Sequence, residues 1–223
     1  MNIDNYLGLA DDHLRPVNEN HQLHCKVVAD YERMRKAAKS EGHHLEICSS
    51  YRSFERQLSI WQRKWHGELP LYRIDGSRLV AETLNDQDKI HAIMLWSALP
   101  GASRHHWGTD FDVYDPQSIA ARQHKFELIT AEYENDGPCA ALNRWISTHA
   151  EEFGFYRPYA KYLGGVAEEP WHLSHKVNAQ QIEQAFSLDA LRELLSAREI
   201  SGKETILTQL DYLYQRYTLN LGI

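Results

Sequence analysis

Two stretches, Ser103-Arg104-His105-His106-Trp107-Gly108-Thr109-Asp110-Phe111-Asp112 and Glu169-Pro170-Trp171-His172, concentrate the chemically informative side chains of this chain, about sixty residues apart. A fold that uses both as one site must bring the chain back across that distance. Hydrolytic zinc sites take three protein ligands from His, Asp and Glu and keep a fourth position open. His105, Asp112 and His172 supply two imidazoles and one carboxylate of that kind. Residues seven apart on a straight strand point to opposite faces. His105 and Asp112 therefore converge only if Gly108 permits a turn or bulge that resets the alternation. Pro170 biases Glu169 towards extended backbone and denies it a helix interior, so Glu169 and His172 meet through a bend that opens a strand. Glu169 then stands beside the metal without binding it, placed to take a proton from water. Each stretch has a plainer reading too: Trp171 as core, His172 as a merely hydrogen-bonded ring, and the His105–Asp112 spacing as coincidence. His43, His44, His66, His91, His124 and His149 read as surface or helix-face residues. His106 and His175 lie out of phase with the ligands and read as structural, or as neighbours behind them.

The rest of the chain alternates helical and strand-like patterns. Leu23, Val27, Val28, Tyr31 and Met34 recur at helical spacing and Gly42 follows, which predicts a helix over Gln22–Glu41. His44–Ser49 alternates as a short strand, and a second helix starts near Ser53 with Phe54, Leu58 and Trp61 on one face. Asp75-Gly76 between Leu71 and Val80 signals a hairpin. Asn85 or Asp86 caps a third helix through Ile90, Ile93 and Met94, which Pro100-Gly101 ends. Phe111–Tyr114 and Trp171–Ser174 read as strands, and Cys139–Phe153 as a helix stopped by Gly154. From Asn178 the chain is helical in two or three pieces divided near Ser187 and Gly202. Helices interleaved with short, non-adjacent strands predict one α+β domain over residues 1–223, its core at about 20–176 and a C-terminal helical appendage at about 177–223.

Lys and Arg number 24 against 31 Asp and Glu, a net charge of −7. That balance argues against a nucleic-acid-binding or membrane-surface protein, which would show a basic stripe. The longest apolar run, Ala92–Trp96, is broken by Ser97 and falls far short of the roughly 18–20 residues of a membrane span. Cys25, Cys48 and Cys139 form no CxxC pair, and the amino terminus lacks the basic start and apolar stretch of a secretory signal. A reducing, cytoplasmic compartment is expected, with export by another route left open. Oligomeric state is not legible.

Taken in order, Ser49-Ser50-Tyr51-Arg52-Ser53, then Ser-x-His-x-x-Gly-x-x-x-Asp ending at Asp112, then Glu-x-Trp-His ending at His172, resemble the signature of the zinc D-alanyl-D-alanine peptidases. These are the carboxypeptidases and dipeptidases of vancomycin resistance, related in fold to lysostaphin-type peptidases and the hedgehog amino-terminal domain. The resemblance implies a small antiparallel sheet carrying one zinc ion per chain, flanked by helices. It implies His105, Asp112 and His172 as ligands and Glu169 as catalytic base. It also implies Arg52 as the cation that stabilises the reacting carbonyl, and Ser103, Gln57 and Tyr51 as residues near the substrate. The implied activity is D-alanyl-D-alanine carboxypeptidase action on a cell-wall stem or precursor peptide. A peptidoglycan endopeptidase or a D-Ala-D-Ala dipeptidase is the alternative, and a zinc-stabilised binding module without catalysis the remotest. One departure stands out: Asp110 occupies a position, two before the metal aspartate, where many members carry a small apolar residue. The Ser-x-x-Lys of serine-acylating enzymes and the His-Glu-x-x-His of zincins are both absent.

Overall fold

The computed structural model covers residues 1–223. In chain order it runs α1 (Ile3–Tyr6), β1 (Leu14–Pro16), β2 (Gln22–His24), α2 (Val28–Ser40), β3 (Glu46–Ser49), α3 (Phe54–Trp65), β4 (Leu71–Tyr72), β5 (Arg78–Leu79) and α4 (Asp86–Met94). It continues through β6 (Asp110–Tyr114), α5 (Pro116–Ala121), α6 (Ala140–His149), β7 (Phe155–Tyr156), β8 (His172–His175) and α7 (Lys176–Ala185). Then come α8 (Leu188–Ser196), α9 (Lys203–Thr208), α10 (Leu210–Leu213) and a π turn at Tyr214–Thr218. The central sheet has the order β3-β6-β8-β7 and is antiparallel at every pairing. This is the expected α+β class, a small antiparallel sheet flanked by helices.

Side chains alternate across a strand, and Asp110-Phe111-Asp112-Val113 uses both faces. Phe111 and Val113, with Ile47 of β3 and Leu173 of β8, pack against Tyr31 and Met34 of α2 and Leu142 and Ile146 of α6. The alternate positions are polar: register sets Asp112 opposite His172 and Asp110 opposite Ser174. A second core joins Phe54 and Trp61 of α3, Ile90 and Ile93 of α4, and Leu191, Leu195, Leu210 and Leu213 of the C-terminal helices. The polar face of the sheet meets this second core along a cleft lined by His105 and His172 on one side and by Met94, Val166 and Tyr217 on the other.

Two expected elements differ. The first helix begins at Val28, not Gln22, because Gln22–His24 pairs with Leu14–Pro16 as a strand and the His24 amide donates to the Gly108 carbonyl at 2.8 Å. Leu23 is still fully buried in the same core, so the apolar spacing reported burial correctly and conformation wrongly. The third helix, capped by Asn85 as expected, stops at Met94 rather than at Pro100-Gly101. There the Leu95 carbonyl accepts from Ala167 N at 2.9 Å and the Ala98 carbonyl from Gln57 Nε2 at 2.7 Å, so tertiary bonds replace helical ones. Breaks at Ser187, which caps α8, and at Gly202 fall where the sequence puts them, though the tail has more pieces than expected.

Candidate metal centre

The sequence places His105 just before a strand, and the structure shows how it reaches the sheet. Arg104–Trp107 forms a short 3-10 turn, and Gly108 follows with φ +68°, a left-handed conformation that L residues with a side chain rarely adopt. The chain then enters β6. Reversal at Gly108 carries the His105 ring over the face where Asp112 points. On β8, His172 sits opposite Asp112 by register, and a turn bond from His172 N to the Glu169 carbonyl (3.2 Å) folds Glu169 back over the same spot.

One donor atom each from His105, Asp112 and His172 lies within 4.8 Å of the others. His105 Nε2 is 3.4 Å from Asp112 Oδ2, and His172 Nδ1 is 3.1 Å from Asp112 Oδ1. The two imidazoles stand edge to face with centroids 5.0 Å apart. All three residues are buried, and Asp112 Oδ1 has no partner other than the facing His172 Nδ1. The outer ring nitrogens are spoken for. His105 Nδ1 contacts the Ser50 carbonyl at 2.9 Å; a carbonyl only accepts, so Nδ1 holds the proton and Nε2 keeps its lone pair. His172 Nε2 faces Asp110 Oδ1 at 3.1 Å, which leaves Nδ1 inward. Two imidazole nitrogens, one carboxylate and an open side fit a tetrahedral divalent metal such as zinc.

Electrostatics differ sharply among neighbours. Burial, aided by the nearby Arg52 guanidinium, pushes the His105 pKa down to about 3, so the ring is a neutral ligand. Burial would lower His172 as well, but hydrogen bonds to Asp110 and Asp112 outweigh it and raise the ring to about 9. Asp112, which burial alone would raise, is held low by His105 and His172. Glu169 Oε2 lies 3.5 Å from His172 Nδ1, and burial pushes this carboxyl up to about 7, with His172 and Arg52 opposing the rise.

Arg52 is anchored from several sides. Its Nη1 donates to Gln57 Oε1 at 3.0 Å, its amide donates to the His105 carbonyl at 3.2 Å, and its own carbonyl accepts from His106 Nδ1 at 2.6 Å. Arg52 Nε is buried without a partner, as are Ser103 Oγ and Trp96 Nε1, and all three residues line the cleft. Gln57 is fully buried and holds Arg52 and the Ala98 carbonyl rather than lining the cleft. Tyr51 lies outside the lining: its hydroxyl is 3.5 Å from the Gly8 carbonyl and its ring meets His13 edge-on. The structure thus gathers His105, Asp112, His172, Glu169, Arg52 and Ser103, with Gln57 behind them and Tyr51 apart. His106 bridges Arg52 O and the Gly101 amide, and His175 meets Asp30 at 3.0 Å, so both are structural. Trp96, Tyr159, Tyr217 and Thr218, also in the lining, carried no signal in the sequence because none belongs to a motif.

Residues 20–178 match the family model VanY, described as D-alanyl-D-alanine carboxypeptidase. The D-alanyl-D-alanine carboxypeptidase of Enterococcus faecalis is 24% identical over 168 residues, 73% of this chain and 51% of that protein, so the match spans about half of that relative. A mutant of the vancomycin-resistance D,D-pentapeptidase VanY from a VanB-type cassette, solved in complex with Zn(II), has a similar fold at TM-score 0.54 and 23% identity, over 81% of this chain and 90% of that one. VanYB in complex with D-alanine-D-alanine is similar at TM-score 0.53 and 22% identity, over 85% and 91%.

Proposed function

The chain belongs to the VanY family of D-alanyl-D-alanine carboxypeptidases, and from that premise we propose that it is a zinc-dependent peptidase that removes the terminal D-alanine from cell-wall peptides ending in D-Ala-D-Ala. The observation that carries this reading is the convergence of His105, Asp112 and His172 on one point, with the Glu169 carboxyl 3.5 Å from a ligand nitrogen and not needed as a ligand. A module that merely used a metal for stability would have no need of a buried carboxyl there.

Zinc, when bound, supplies Lewis acidity to the attacking water and the scissile carbonyl. Glu169 accepts the proton of that water at Oε2 and returns it to the departing amine. A carboxyl held near neutrality suits both transfers, because it neither keeps nor gives up the proton too firmly. Arg52 supplies a fixed positive charge for the oxygen that becomes negative, and its Gln57 bond sets the guanidinium before substrate arrives. The unpartnered Ser103 hydroxyl and Trp96 indole N–H supply polar partners for the peptide. Tyr159, Val166 and Tyr217 line the cleft beside these groups, and the endopeptidase reading stands second.

The test is turnover read by mass on a D-Ala-D-Ala dipeptide, a pentapeptide and intact peptidoglycan, with zinc-loaded and chelator-stripped protein. Release of one D-alanine from the pentapeptide, abolished by stripping and restored by zinc, is the expected result. Cleavage of the dipeptide alone or of intact peptidoglycan alone would replace the proposed substrate, and no zinc dependence would remove the mechanism.

A further inference from the structure

Asp110, the departure noted in the sequence, is completely buried on the polar face of β6. An isolated carboxylate there would be costly, and its surroundings show how it is tolerated. Oδ1 accepts from Arg104 Nε at 2.7 Å and lies 3.1 Å from His172 Nε2, while Oδ2 accepts from the Thr109 hydroxyl at 2.6 Å. Arg104 is itself only 3% exposed. Its Nη2 donates to Ser174 Oγ at 2.8 Å and to the Tyr156 hydroxyl at 3.1 Å, its Nη1 pairs with Glu183 of α7, and its carbon lies 4.6 Å from the centre of the Trp107 ring. Three strands and a C-terminal helix therefore hold one carboxylate against the outer nitrogen of one imidazole.

That arrangement has a chemical consequence. A carboxylate fixed at Nε2 requires the imidazole to present N–H there, so Nδ1 is the nitrogen left for a metal. It also blocks rotation of the ring, since any turn would break a buried, charge-assisted bond. A small apolar side chain at 110 would leave Nε2 with no protein partner. We infer that Asp110, locked by Arg104, is the positioning residue that holds His172 with Nδ1 towards the metal, and that the Arg104–Glu183 pair makes α7 part of this device. The inference rests on the metal-dependent reading of the site and goes beyond it, because it assigns roles to residues outside the ligand set and the catalytic base.

The experiment measures zinc dissociation constants of the full chain by competition with a chromophoric chelator, for wild type and Asp110→Asn. The variant keeps the volume and an acceptor for Arg104 but removes the charge behind His172. Its affinity is expected to fall by about 10- to 100-fold, the usual effect of losing such a partner, and the visible bands of the cobalt-substituted protein are expected to shift. Affinity within about two-fold of wild type, with unchanged cobalt bands, would overturn the inference. Should the variant not fold, nitrogen-15 NMR of zinc-loaded wild type decides. A proton on His172 Nε2 with Nδ1 ligating is expected, and the reverse assignment overturns the inference. A wild-type chain that takes up no zinc would remove the metal reading and this inference with it, a failure distinct from an insensitive variant.

Discussion

Burial and charge act on Glu169 in opposite senses. Burial disfavours the carboxylate, and Asp112 adds to that, while His172 and Arg52 favour it; the result is a group held at about 7. A base must be ionised to act, so kcat/KM is expected to fall as pH drops through this value. A bound cation favours the carboxylate, so the limb lies at or below about 7. A profile with no acidic limb anywhere at or below about pH 7 would exclude Glu169 as the base. Glu169→Ala is expected to retain zinc and lose about 10²-fold or more in kcat; substantial turnover with metal bound would refute the role. Arg52 tests a different contribution. Arg52→Lys keeps the charge but loses the planar fork and the Gln57 bond. It is expected to approach the roughly 10²- to 10³-fold loss in kcat of a missing oxyanion donor, with KM little changed. Steady-state kinetics on the pentapeptide separates the two effects.

At the scale of elements, the turn between the 3-10 segment and β6 decides whether two ligands meet. Gly108 has φ +68°, and a Cβ there would stand 2.5 Å from Leu14 Cδ2 and 2.8 Å from His24 N. Gly108→Ala is expected to destabilise the protein by about 1–3 kcal/mol, through left-handed strain and the clash with the β1–β2 pair. Because the shift falls between His105 and Asp112, it is also expected to weaken zinc binding. Thermal melting with and without zinc measures both, and an unchanged melting temperature would refute the steric argument. The same turn shows what a sequence reveals. Polar and apolar residues alternate in Asp110–Val113, so the strand and its two faces were legible, and Gly108 marked the reset. Glu169 and His172 were legible as partners because Pro170 restricts the backbone between them. The β2 strand was not, since Leu23 and Val27 fit a helical stripe as well as a buried pair, and only the partner strand at Leu14–Pro16 decides. Nor was the network behind His172: Arg104 stood within a motif, yet nothing local to it points to Glu183, 79 residues away.

For the whole molecule, the question is whether the C-terminal helices are an accessory. Leu213 of α10 is fully buried in a core that also contains Phe54 and Trp61 of α3 and Ile93 of α4. The π turn that follows sends Tyr217 and Thr218 into the cleft lining, where the Tyr217 hydroxyl meets His91 Nδ1 at 2.8 Å and Thr218 Oγ1 donates to the Ala102 carbonyl at 3.3 Å. Helix α7 reaches the site by another route, through Glu183 and Arg104. With its core shared with α3 and with α4, whose Met94 lines the cleft, and two connections to the cleft itself, the tail is expected to unfold together with the sheet. Leu213→Ala, which removes side-chain volume far from the metal ligands, is therefore expected to cost about 2–5 kcal/mol. Its chemical denaturation is expected to stay a single transition, shifted alike for far-ultraviolet circular dichroism and for tryptophan fluorescence. Two resolved transitions, with the sheet's unchanged, would make the tail an independent unit. One transition instead ties the cleft lining at Tyr217 and Thr218 to the packing of α8–α10.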